Sequence, residues 1–254
     1  MNKRFSILSL MAGLLVCSSA FVACGGDDGD EKGGGGGGSS QHIVKMIDED
    51  GSSKYEYSIS YDGQGRVSRI VTSQTGSYLS STETTYQYSA DQIITKSVYE
   101  SKGATSNETH TYTLANGLIV KDVDVQNSYR ATTTFSYDAD GYLASMSEWG
   151  DGIESSTKNF VWKDGNLTQL DGRSWTYSST PWPKGMFFYY KGTNMDKVLF
   201  ALGYFGKTPK TMPSKYDSGS GTGWTFEYAV SGGVITMMTI NNKGNKEVTS
   251  YVWQ

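Results

Sequence analysis

One phrase recurs from Tyr55 onward and limits the fold more than any other feature: alternating aromatic and Ser/Thr residues, a turn, then an aliphatic stretch. Tyr57-Ser58-Ile59-Ser60-Tyr61 runs through Asp62-Gly63-Gln64-Gly65 into Arg66-Val67-Ser68-Arg69-Ile70. Thr133-Thr134-Phe135-Ser136-Tyr137 runs through Asp138-Ala139-Asp140-Gly141 into Tyr142-Leu143, and weaker copies lie around Tyr88, Tyr112, Trp162 and Tyr228. The closing aromatics Tyr61, Tyr88, Tyr112, Tyr137 and Trp162 stand 27, 24, 25 and 25 residues apart. A period near 25 with this content is one β-hairpin per repeat. The turn residues agree. Asn116-Gly117 and Asp164-Gly165 accept positive φ at both centres of a tight hairpin turn. Asp62 to Gly65 and Asp138 to Gly141 place Asp first and Gly fourth, as a type I turn prefers.

Period-two alternation gives such strands two faces. One collects Tyr57, Ile59, Tyr61, Tyr86, Tyr88, Tyr112, Phe135, Tyr137, Phe160, Trp162, Phe226 and Tyr228; the other is Ser and Thr. Burying an aromatic side chain contributes about 2–3 kcal/mol, so the aromatic face turns inward. The expected fold is all-β: an up-and-down antiparallel meander of about 14 strands, curled into a barrel or half-barrel. Residues 178–223 break the pattern and hold all four prolines. Within them Asn194 is a candidate N-cap, and Met195, Val198, Leu199 and Leu202 have helical spacing, which predicts one short helix near residues 195–203 covering an end of the barrel.

The first forty residues read as an address. Met1 to Arg4 is a basic start, and Phe5 to Ala20 is an apolar stretch too short for a spanning helix, as in a signal peptide. Phe21-Val22-Ala23-Cys24 resembles the box cut by the lipoprotein signal peptidase. Cys17 is a poorer match, because Val16 before it is too large, so Cys24 is the expected lipidation site. The expected organisation is a signal over residues 1–23, a lipidated tether over 24–41 and a barrel-like domain over 42–254. The tether is acidic from Asp27 to Glu31 and unbroken glycine from Gly33 to Gly38. A Gly-rich coil of this length spans roughly 20–25 Å on average, enough to clear the lipid head groups. An acidic patch after the lipidated Cys resembles the export signal of Bacteroidota-type surface lipoproteins, which implies the outer face of an outer membrane.

Composition then removes function classes. With His 2 and Cys 2, no histidine-rich metal cluster or disulfide framework is expected, and no cofactor or metal is assigned. A formal charge of −4 argues against a nucleic-acid surface. His110 shares the register of Tyr112 and reads as a core or rim histidine, with His42 at the tether junction. Asp138 to Gly141 has a faint calcium-loop look, but a hairpin turn accounts for each of its residues. No nucleophile with a base, nucleophile elbow or phosphate loop can be assembled, so the chain does not read as an enzyme.

Tyr61-Asp62-Gly63-Gln64-Gly65 and Tyr137-Asp138-Ala139-Asp140-Gly141 resemble the tyrosine-aspartate (YD) repeats of Rhs-type and teneurin-type shells. With the signal, the tether and Gly203-Tyr204-Phe205-Gly206-Lys207-Thr208-Pro209, the chain resembles a Bacteroidota lipoprotein family of unknown function described as having a porin-like fold. That resemblance implies a barrel-like sheet and brings no known activity or site. Two loop tryptophans remain as candidate ligand-stacking residues: Trp149 near a hairpin tip and Trp182 between two prolines. The expected role is a surface module that binds glycan or protein through barrel-end loops. The alternative is a carrier of an apolar ligand inside the curved sheet. Strands of seven or eight residues are short for a membrane-spanning barrel.

Overall fold

A computed structural model of the chain describes residues 41–76, 79–188, 190–191 and 193–254, with Ile153 described by its backbone alone. The signal and the tether up to residue 40 lie outside the described residues. The strands are β1 (Ile43–Asp50), β2 (Ser53–Tyr61), β3 (Val67–Gly76), β4 (Ser80–Tyr88), β5 (Gln92–Ser101), β6 (Ala104–Ala115), β7 (Leu118–Gln126) and β8 (Tyr129–Tyr137). They continue as β9 (Leu143–Gly150), β10 (Ile153–Lys163), β11 (Asn166–Leu170) and β12 (Arg173–Pro181). After the helix α1 (Lys197–Ala201) come β13 (Thr211–Asp217), β14 (Gly223–Ser231), β15 (Val234–Asn242) and β16 (Asn245–Trp253). Each strand pairs antiparallel with its sequence neighbours, and β1 pairs with β16, so the sheet is a closed barrel.

The strand count is therefore sixteen rather than about fourteen, and closure excludes a half-barrel. The irregular insert also contracts: β12 runs to Pro181 and β13 starts at Thr211, leaving 182–210 between them. The helix is shorter than expected, and Asp196 caps it by accepting from the amides of Val198 and Leu199 at 2.7 and 3.2 Å. Asn194 instead reaches Glu148. Asp196 wins because its second oxygen is fixed to the wall by the Tyr86 hydroxyl at 3.0 Å.

A sixteen-stranded barrel is too wide for its own wall side chains to fill. The insert fills one end. Met186, Phe187, Phe188, Tyr190, Met195, Val198, Leu199, Phe200 and Phe205 are all buried. Phe205 meets Tyr112 and Phe135, Phe188 meets Phe226, and Tyr190 meets Trp175. These partners stand on β6, β8, β14 and β12, so the insert is a plug inside the wall. Backbone bonds from Ile119 to Tyr204, Lys207 to Gly141 and Lys210 to Gly165 tie it to the turns at that end. Gly206 (φ +86°) sits where a Cβ would lie 2.5 Å from the Gly141 oxygen, so no larger residue fits there.

The repeat has a structural meaning beyond alternation. β1, β3, β7, β9, β11 and β15 each carry one extra residue, a bulge, against the preceding strand. The bulge buries two residues three apart: Ile43 and Met46, Val67 and Ile70, Leu143 and Met146, Leu167 and Leu170, Ile235 and Met238. It also leaves a carbonyl without a ladder partner, which must be satisfied elsewhere. The closing aromatic of the next strand does so. Tyr61 donates to Ile43 O, Tyr88 to Val67 O, Tyr137 to Ile119 O, Trp162 to Leu143 O, Tyr177 to Leu167 O and Trp253 to Ile235 O, at 2.6–2.8 Å. In the one repeat where β5 pairs with β4 without a shift, the equivalent position on β6 is Leu114, which has no donor. The closing residue there is thus Leu114 rather than Tyr112.

The outer wall carries polar pairs between exposed apolar residues such as Val161, Met237 and Val252. Lys45 pairs with Glu56 and Arg69 with Glu83 at 2.7 Å, both in mid-strand. Ser136 and Ser145, Ser147 and Thr157, and Thr176 and Ser214 bond across neighbouring strands.

Candidate functional site

The turn-rich end that holds the plug leaves the opposite end of the lumen open. There, between β1–β2 and β14–β16, lies a cavity of about 300 Å³. Its walls are Met46, Tyr55, Tyr57, Trp224, Phe226, Met238, Ile240 and Tyr251, and the plug contributes Phe187, Phe188 and Lys197. Asp48, Glu49, Asp50 and Glu247 add acidic groups to the lining. On β1 the bulge at the start of the strand sets the phase, placing Met46 inside and Lys45 outside. The Lys197 ammonium lies 4.5 Å from the centre of the Tyr57 ring. Burial holds the Lys197 pKa below its ordinary value against the pull of Asp48 and Asp196. Burial, and then the charge of Asp48, raises that of Tyr57. One oxygen of Asp48 is buried without a hydrogen-bond partner. The cavity offers a ring-lined body and two opposite charges.

The second group of titratable residues lies on the inward faces of β6 and β7. His110 stacks on Tyr112, with ring centroids 5.6 Å apart. Its Nδ1 lies 2.9 Å from Asp122 Oδ2, and its Nε2 lies 3.7 Å from Glu108 and 3.8 Å from Asp124. Burial works against a charge on His110. Its bonding with Asp122 and Glu108 and the charges of Asp122 and Asp124 outweigh that, raising its pKa to about 10. The contact with His110 lowers the pKa of Glu108, whereas burial raises that of Asp124. His110 thus takes the inward position expected of it, but in a carboxylate cluster that its sequence neighbours did not announce.

The two tryptophans part company. Trp182 packs against Phe188, Tyr190 and Phe200, and its amide donates to Lys210 O, so it belongs to the plug. Trp149 lies on β9 opposite Thr132, just before the turn, with 43% of its surface exposed on the outer wall. Neither lines the cavity. The Asp138 carboxylate accepts from the amides of Asp140 and Tyr142 at 3.0 and 2.8 Å and serves the turn.

Fold and site together define a closed antiparallel barrel with an inserted plug and a lumen open at one end. The chain belongs to the family described as a domain of unknown function (DUF4595) with porin-like fold, which it matches over residues 59–250. It is similar in fold to the crystal structure of a porin-like protein from Bacteroides uniformis, with 17% identity, a TM-score of 0.63, and coverage of 85% of this chain and 96% of that one. A porin-like protein from Bacteroides vulgatus matches at 12% identity and a TM-score of 0.33, with coverage of 84% and 99%. No curated protein matches the sequence significantly.

Proposed function

We propose that the protein is a non-enzymatic, lipid-anchored binding module of the outer-membrane surface that holds a small amphipathic ligand in the open mouth of its barrel. The cavity carries this reading: about 300 Å³ suits a small molecule, and aromatic walls with a few fixed polar groups are the usual make-up of such a site. The ligand expected is a ring or short acyl body bearing a polar or cationic group toward the acidic residues. Anchoring through Cys24, rather than insertion, fits an outer wall with charges in mid-strand, where lipid exposure would cost about 2–4 kcal/mol for each Lys or Arg. The backbone of His42 bonds Gln254 at the plugged end, where the barrel wall begins.

Organic extraction of natively purified protein, followed by mass spectrometry, tests the reading, together with quenching of Trp224 fluorescence by the extracted compound. Ile240→Trp, which fills the cavity from its wall, should abolish the quenching. An empty extract, or quenching unchanged by Ile240→Trp, sinks the proposal. The exposed ring of Trp149 favours a second reading, a glycan or protein partner on the outer wall, and loss of cell or glycan binding in Trp149→Ala would select it.

A further inference from the structure

The repeat makes one strand anomalous. In β1, β3, β9, β11 and β15 both buried positions, three residues apart, are apolar, but in β7 they are Ile119 and Asp122. An unbulged β7 would turn Val123 and Val125 inward. The bulge reverses this: Asp122 is 6% exposed and Val125 is 38% exposed. Burying an aspartate while exposing a valine opposes both solvation terms, and such local violations gather at functional sites. The same shift sets Asp124 opposite His110 and Asp122 opposite Tyr112.

We infer that Glu108, His110 and Asp124 form a binding site for a divalent first-row transition cation, Zn²⁺ being the best fit, with Asp122 as the group that orients the imidazole. The three side chains offer ligand atoms within 4.8 Å of one another. Two of those separations, 3.7 and 3.8 Å from His110 Nε2, need close only slightly to reach the roughly 3.4 Å edge of a tetrahedral zinc site. Nδ1 lies 2.9 Å from Asp122 and can keep its proton, directed at that carboxylate, while the cation displaces the proton from Nε2, the nitrogen that faces Glu108 and Asp124. A ligating histidine is commonly held in this way, its other nitrogen donating to a carboxylate. Two buried oxygens point to a missing partner: Asp124 Oδ1, the atom facing Nε2, and Asp122 Oδ1 on a side chain only 9% exposed, neither with a hydrogen bond. Three carboxylates around one imidazole leave negative charge for a cation to balance. Imidazole with carboxylate suits zinc and its neighbours better than calcium or magnesium. Glu108, at 37% exposure, gives the ion a way in from the open end.

The test is calorimetric titration of the full chain with Zn²⁺, with Cys17 and Cys24 both changed to Ser so that no thiol competes. Saturable binding near one ion per chain is expected, with a melting temperature that rises with zinc. Glu108→Gln, His110→Gln and Asp124→Asn should each weaken binding at least tenfold, and Asp122→Asn by about 10–100-fold. His42→Ala should leave it unchanged. Glu108 is partly exposed, so its variant keeps the test decisive if the buried substitutions unfold the chain. No saturable binding, or affinity indifferent to Glu108→Gln and His110→Gln, overturns the assignment. Loss with His42→Ala alone overturns it too.

Discussion

Tyr137→Phe removes one oxygen and little else, which makes it the sharpest probe of how the bulged strands are held. The Tyr137 hydroxyl donates to Ile119 O at 2.6 Å, and Ile119 is fully buried. Burial raises the Tyr137 pKa, so the hydroxyl keeps its proton and its role as donor across the ordinary pH range. Without it the freed carbonyl has no water to turn to, and the loss should cost about 1–2 kcal/mol. The ring itself fills space: its atoms lie 3.2 Å from where a Gly206 Cβ would sit. Tyr137→Ala should therefore cost more, roughly 3–5 kcal/mol in total, by adding a cavity. For a domain of this size each kcal/mol shifts Tm by about 2–4 °C, so Tyr137→Phe should melt about 2–8 °C lower. Urea unfolding and calorimetry of the two variants decide it. If Tyr137→Phe stays within about 0.3 kcal/mol of wild type while Tyr137→Ala falls as expected, ring packing alone holds the bulge and the hydrogen-bond reasoning fails.

Further outcomes follow from the same contacts. Gly206→Ala forces a positive φ on an L-residue and drives its Cβ into the Gly141 oxygen; a loss of about 2 kcal/mol or more in chemical denaturation is expected, and a neutral result would mean the plug is loosely seated. Trp182→Ala should destabilise by about 3–5 kcal/mol, whereas Trp149→Ala should stay within about 0.5 kcal/mol, read by thermal melts. Burial alone would raise the Asp62 pKa, but bonds from Arg66 and Gln64 outweigh it and lower it. A lowered carboxylate contributes stability above the unfolded value near 3.9 that is lost as pH falls through the folded one. The stability gap between wild type and Asp62→Asn should therefore shrink below about pH 4 in unfolding measured against pH. Carbonate extraction should release the Cys24→Ser chain from membranes completely; retention in the pellet would point to a spanning barrel.

The wall was legible because a period of two and Asn-Gly or Asp-Gly turns act over a few residues. The barrel and its inward rings follow from Tyr57, Phe135 or Phe226 alone. The two missed strands and the barrel closure depend on β1 meeting β16, a pairing without a local signal. The plug was half legible: its prolines marked an interruption, but Met186-Phe187-Phe188 has no period, and only the width of the lumen explains why three large residues in a row are buried. The carboxylates around His110 were hidden by one residue. Counting back from Asn116-Gly117 without a bulge places Val123 opposite His110. The extra residue, which the Ile-x-x-apolar spacing of sister strands could have disclosed, places Asp124 there.

The closure of β1 on β16 also sets an order of events. The first strand of the barrel keeps an unpaired edge until the last one arrives, some two hundred residues later in synthesis and export. Contacts that distant form slowly, and open edges in the meantime invite pairing with other chains. A chain stopped before Asn245 would lose only the nine residues of β16 and Gln254 but present two bare edges, on β1 and β15. The C-terminal strand is thus a quality checkpoint: until it docks, the protein is an aggregation hazard rather than a slightly shorter barrel.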